Sequence, residues 1–104
     1  MEYVVKNIRN SKKLDFVIDA WSLTESPIAE IIQINLKCRE KIETHGNPLD
    51  VVFYVVQGEG KATVDDESLN LKAEDCIQIP KNSQRSWENI GHSTLKLLVV
   101  KLKK

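Results

Sequence analysis

The 104-residue sequence predicts an all-β fold, a sandwich or closed barrel of short antiparallel strands. Three observations carry this. Apolar and polar residues alternate along much of the chain, whereas no window sustains the period of an amphipathic helix. Turn signals divide the chain into about eight or nine strand-length segments spaced by about 8–12 residues. The longest apolar run, residues 51–56, is made wholly of β-branched and aromatic residues. Gly46 and Pro48 precede it and Gly58 and Gly60 follow it. Such residues lose rotamer freedom against a preceding helical turn, so the run reads as a strand covered on both faces.

Taken in order, Tyr3, Val4 and Val5 predict a first short strand, and residues 7–13 a loop or a single helical turn. Residues 14–21, with Phe16, Val17 and Ile18, read as a second strand, and the polar residues 22–27 break it. Residues 29–37 alternate, with Ile32, Ile34 and Leu36 opposite Gln33, Asn35 and Lys37, the pattern of a half-buried strand. Residues 38–43 are expected to turn the chain into the long apolar run. Residues 61–64 and 68–72 form a hairpin about Asp65, Asp66 and Glu67. Glu74 and Asp75 mark a turn, residues 76–79 a short strand and residues 80–84 a loop. Residues 84–88 and 94–102 supply the last two strands, separated by a turn at residues 89–92. With no internal repeat or linker, residues 1–104 are expected to form one domain.

Fifteen basic and fifteen acidic residues cancel, which removes the general attraction for polyanions, so no nucleic-acid partner is expected. Lys96, Lys101, Lys103 and Lys104 read as a solvated edge strand and tail. No stretch approaches the ~20 apolar residues of a membrane span, and the chain start lacks a signal-peptide layout. A cytoplasmic protein without a membrane partner is expected. Cys38 and Cys76 are too few and too far apart for a disulfide framework or a Cys-x-x-Cys site. Cys76 reads as a small core residue and Cys38 as partly exposed; a Cys38–His45 nucleophile pair is the less favoured alternative. Trp21 reads as packing.

Two segments carry a more specific signal. Residues 41–60 read Lys-Ile-Glu-Thr-His-Gly-Asn-Pro-Leu-Asp-Val-Val-Phe-Tyr-Val-Val-Gln-Gly-Glu-Gly. Residues 71–89 read Leu-Lys-Ala-Glu-Asp-Cys-Ile-Gln-Ile-Pro-Lys-Asn-Ser-Gln-Arg-Ser-Trp-Glu-Asn. They resemble the first and second signatures of the cupin superfamily. The block from Phe53 to Gly60, the Asp75 turn, Ile79-Pro80 and Asn89 fit at the family's spacing, and with flanking strands the resemblance covers about residues 31–101. It implies a small double-stranded β-helix, a jelly-roll barrel with an internal cavity, and a homodimer.

The resemblance also implies a metal site, and there the sequence departs from it. The family's two ligand histidines fall on His45 and Asn47, its glutamate on Val51 and its last histidine on Arg85. Valine donates nothing, and arginine keeps its proton and repels a cation. A divalent ion needs three or four convergent donors, so no metal cofactor is expected. Asp50 cannot take Val51's place, because adjacent strand residues face opposite ways unless a bulge intervenes. Glu74 and Asn82 stand where the second signature has glycines; Asn tolerates the left-handed conformation glycine supplies.

Strand parity within such a barrel turns His45, Asn47, Val51, Phe53 and Val55 to one interior, together with Arg85, Trp87 and Asn89. The candidate ligand-binding residues are His45, Asn47, Phe53, Arg85 and Trp87, and no catalytic residue is assigned. An arginine beside a tryptophan and a histidine suits a small polar or anionic molecule: the guanidinium forks onto a carboxylate or phosphate and the indole covers an apolar or sugar face. Two alternatives stand. One is a metal-free sugar isomerase or epimerase with His45 as general base and Arg85 stabilising negative charge. The other is a structural or regulatory dimer in which Arg85 only bonds Asn47 and pairs with Glu88 or Glu43. Tyr54, Val52 and Val56 face away from the interior and are apolar, so the N-terminal strands or a second subunit must cover them. Tyr3 to Val5 could lend a strand to a partner's edge.

Overall fold

A computed structural model of the chain describes residues 2–16 and 18–103. Val17 and Lys104, placed above in a strand and in the basic tail, lie outside the described residues. A 3-10 turn at Ile8–Asn10, capped by Asn7, precedes β1 (Lys12–Lys13), β2 (Asp19–Glu25), β3 (Ala29–Leu36), β4 (Lys41–His45) and β5 (Asp50–Gln57). There follow β6 (Glu59–Val64), β7 (Glu67–Lys72), β8 (Cys76–Ile79), β9 (Arg85–Asn89) and β10 (Leu95–Leu102). All pair antiparallel in two sheets, one of six strands in the order β1-β2-β3-β10-β5-β8 and one of four in the order β4-β9-β6-β7. This is the double-stranded β-helix that the two segments implied.

The core lies between the sheets and follows from period-two alternation. Ile32, Ile34 and Leu36 of β3, Val51, Phe53 and Val55 of β5, and Leu95, Leu97 and Val99 of β10 are all buried. Ala62 of β6 and Trp87 of β9 meet them from the smaller sheet. Gly60 allows this approach: a Cβ there would stand 2.6 Å from a Leu95 methyl and 3.0 Å from the Trp87 ring. Asn89, 1 % exposed, fastens the end of β9. Its amide donates to the Leu36 and Ser93 carbonyls, 2.9 Å each, and its oxygen accepts from the Gly91 amide at 2.9 Å.

Several expectations are corrected. Tyr3, Val4 and Val5 form no strand; they are 84 %, 77 % and 72 % exposed, because strand propensity without a pairing partner does not order a backbone. The second strand is displaced to Asp19–Glu25, and its polar residues Ser22, Thr24 and Glu25 pair with Ile32, Ile31 and Glu30. Pairing with β3 overrides their turn preference. The turn expected at residues 38–43 is confined to its start, where Glu40 donates to the Lys37 carbonyl at 2.9 Å, and Lys41–His45 is strand β4, held by β9. Cys76 is exposed rather than in the core, since β8 is an edge strand and Cys76 sits opposite Tyr54 on the outer face. The N-terminal strands do not cover that face: β1 and β2 extend the larger sheet sideways, leaving Tyr54 and Val56 37 % and 44 % exposed. Among the described residues no helix is long and apolar enough to cross a membrane.

Glu74 and Asn82 do adopt the conformation of the glycines they stand for, with φ of 78° and 70°. The left-handed region costs a glutamate about 1 kcal/mol through its Cβ. Glu74→Gly is therefore expected to raise the unfolding free energy measured in urea, by less than this amount because glycine also loosens the unfolded chain. Asn89→Leu removes a donor from two carbonyls, the Leu36 one buried, and is expected to cost about 2–4 kcal/mol in the same measurement.

Candidate functional site

A cavity of about 370 Å³ opens between the sheets. Its walls follow from strand parity: Ile32 and Ile34 from β3, Phe53 from β5 and Val99 from β10 on one side, Ile42 and Arg85 from β4 and β9 on the other. Phe16 and Ile18, from the segment before β2, close a further side, and Phe16 is 56 % exposed. Lys41, Glu43, Thr44, His45 and Lys101 complete the lining.

His45 reaches the cavity through an irregularity. Ile42 lies opposite Trp87 and His45 opposite Arg85, so three steps along β4 match two along β9. Regular alternation would put residues 42 and 45 on opposite faces; a one-residue bulge brings both to the cavity, Ile42 half-buried and His45 at its exposed rim. Directly opposed residues of an antiparallel pair share a face, which brings His45 beside Arg85. The His45 ring Nδ1 lies 2.9 Å from the Glu43 carbonyl. A carbonyl only accepts, so Nδ1 donates, and in the neutral ring Nε2 keeps its lone pair.

Arg85 is 2 % exposed, and its Nε and Nη1 are buried without a hydrogen-bond partner. Neither Glu43 nor Glu88 pairs with it; the ion pair among the described residues joins Lys103 to Glu25 at 2.5 Å. Burial alone pushes the Arg85 pKa below its ordinary value. Its guanidinium carbon stands 6.0 Å from the centre of the Phe53 ring, the outer limit of a cation–π contact. The site thus holds a buried cation beside a largely apolar chamber, with no carboxylate among the described residues in ion-pair contact.

His45, Phe53 and Arg85 are brought together on this cavity. Asn47 and Trp87 are not. The Asn47 side-chain oxygen accepts from the Leu49 amide at 2.9 Å and its carbonyl from the Asn82 amide at 2.7 Å, which spends the residue on loop structure. Trp87 is fully buried with its ring centre 5.4 Å from that of Phe53, and it borders a separate depression with Lys61, Thr63 and Glu88. The wall residues Ile42 and Lys101 were missed. Parity from Val99 reaches Lys101, whereas Ile42 needed the strand at β4, and no periodic signal points to Phe16.

The donors do not fit a divalent cation. Val51 is fully buried opposite Ile79, Arg85 brings a positive charge beside His45, and no three His, Cys, Asp or Glu among the described residues converge to hold an ion. Replacing the unpaired guanidinium by an apolar chain of similar length removes its desolvation cost. Arg85→Met is therefore expected to stabilise the ligand-free protein by about 1–3 kcal/mol in chemical denaturation.

Comparison with known proteins accords with the fold. The sequence description of the Cupin domain family matches residues 34–101. An uncharacterised protein of Methanocaldococcus jannaschii is 38% identical over 47 residues, a stretch that spans 45% of this chain and 38% of that protein. Among solved structures, an RmlC-like cupin with a double-stranded β-helix fold from the same organism superposes with a TM-score of 0.80 at 25% identity, covering 98% of this chain and 92% of that one. A protein described as a predicted oxalate decarboxylase from Thermotoga maritima gives a TM-score of 0.85 at 17% identity, covering 95% and 98%. These structural likenesses establish the fold.

Proposed function

This chain belongs to the cupin family, and from that premise we propose that it is a metal-independent binding protein that captures a small anionic molecule in its barrel, with Arg85 as the anchor. The observation that carries the reading is the buried guanidinium whose Nε and Nη1 lack partners beside a cavity of about 370 Å³. A carboxylate or similar anion supplies two acceptors matched to the guanidinium fork, and the interaction is strengthened by the low dielectric of the chamber. Phe53 supports the cation from below, and His45 stands across the strand pair as a second hydrogen-bonding group. Small anions are expected to raise the thermal midpoint of the wild-type protein and to leave Arg85→Met unmoved. An equal shift in both proteins overturns the reading, and stabilisation by sub-millimolar zinc or nickel that disappears in His45→Ala overturns metal independence.

A second reading rests on the free Nε2 of His45. Facing Arg85, it has the placement of a general base that removes a proton while the guanidinium holds the charge that develops, the chemistry of a metal-free sugar isomerase or epimerase. Incorporation of deuterium from D2O into a sugar acid or ketose, followed by proton NMR and abolished in His45→Gln, is the signature expected of it; no incorporation dismisses it.

A further inference from the structure

Building on the anion-binding reading, we infer that the ligand is an amphipathic monocarboxylate: one carboxylate on Arg85 and an apolar body filling the rest of the chamber. Away from Arg85, the deep walls are Ile32, Ile34, Ile42, Phe53 and Val99, with no hydroxyl or amide among them. A sugar carries several hydroxyls, each of which would be desolvated there without a partner, at a cost that outweighs its contacts. An alkyl or aryl body meets no such penalty and gains by leaving water.

Charge narrows the class further. Arg85 is the one buried charged side chain among the described residues. A single carboxylate neutralises it, whereas a phosphate monoester or a dicarboxylate brings a second charge into the same apolar space. The other polar groups of the site, Lys41, Glu43, Thr44, His45 and Lys101, are all more accessible than Arg85. Phe16 lies beside the cavity with more than half of its surface in water, apolar area that an inserted body would cover. The volume, about a dozen waters' share of liquid, has room for a short chain or a single ring.

The test is calorimetric titration of the whole chain with acetate, butanoate, hexanoate and phenylpropanoate. Hexanol serves as the uncharged control and glucose 6-phosphate as the polar one. Each added methylene is expected to tighten binding about fourfold (~0.8 kcal/mol) until the chamber is full. Hexanol and glucose 6-phosphate are expected to bind at least tenfold more weakly than hexanoate. Ile34→Phe, which narrows the chamber, shortens the preferred chain. Arg85→Met loses the carboxylate series, and Arg85→Lys, which keeps the charge without the fork, retains a weakened one. Equal affinity for acetate and hexanoate, or glucose 6-phosphate binding more tightly than hexanoate, overturns the amphipathic class and leaves the anion reading standing. Undiminished binding to both Arg85 variants, or no binding by any anion, overturns both.

Discussion

Strand β10 is hydrogen-bonded on both sides, to β3 from Leu95 to Leu102 and to β5 from Lys96 to Leu102, and the rest of the structure depends on that double pairing. Because side chains alternate, fixing the register of β10 fixes which residues of three adjacent strands face inward. Ile32 and Ile34, Phe53 and Val99 therefore form one continuous wall. A slip of one residue would exchange them for Gln33, Tyr54, Leu98 and their neighbours. The smaller sheet closes over this wall through Trp87 and Ala62, and the cavity is the part of the interlayer space that no large side chain fills.

Arg85 stands in tension with that core. A fold is stabilised by burying apolar area and by satisfying what polar groups it buries, and here the largest buried polar side chain is left unsatisfied. Asn89 shows the contrast: it is as deeply buried, yet its side chain makes three hydrogen bonds. Within one strand, β9 carries a polar residue committed to architecture and another whose bonding capacity is unspent. An unspent buried group is a cost in the isolated protein and a source of affinity when a complementary anion arrives.

The sequence made the inward faces of β3 and β5 legible, because Ile32-Ile34-Leu36 alternate with polar residues and the resemblance fixed the parity of residues 51–56, whereas the unbroken apolar run from Leu97 to Val100 marked β10 as a strand without showing its inward face. The two signatures located His45 and Arg85 and exposed the loss of donors at Val51. What escaped was decided by partners distant in sequence. Residues 22–25 are polar and became strand because β3 was available to pair; Tyr3 to Val5 have the right composition and found no partner. Asn47 has the spacing of a cavity residue, but its carboxamide oxygen caps the Leu49 amide nearby in the loop. The placement of Phe16 and Ile18 follows from tertiary closure and leaves no mark in periodicity.

The bulge in β4 bears on how the protein behaves in concentrated solution. β4 is an outer strand of its sheet, and a regular outer strand offers a row of free amides and carbonyls on which another chain can add. The extra residue between Ile42 and His45 breaks the even spacing of that row, and Lys41 and Glu43 place opposite charges along it. A second molecule approaching this edge finds no uninterrupted ladder to extend, so the distortion that presents His45 to the chamber also discourages growth of the sheet from one protein into the next.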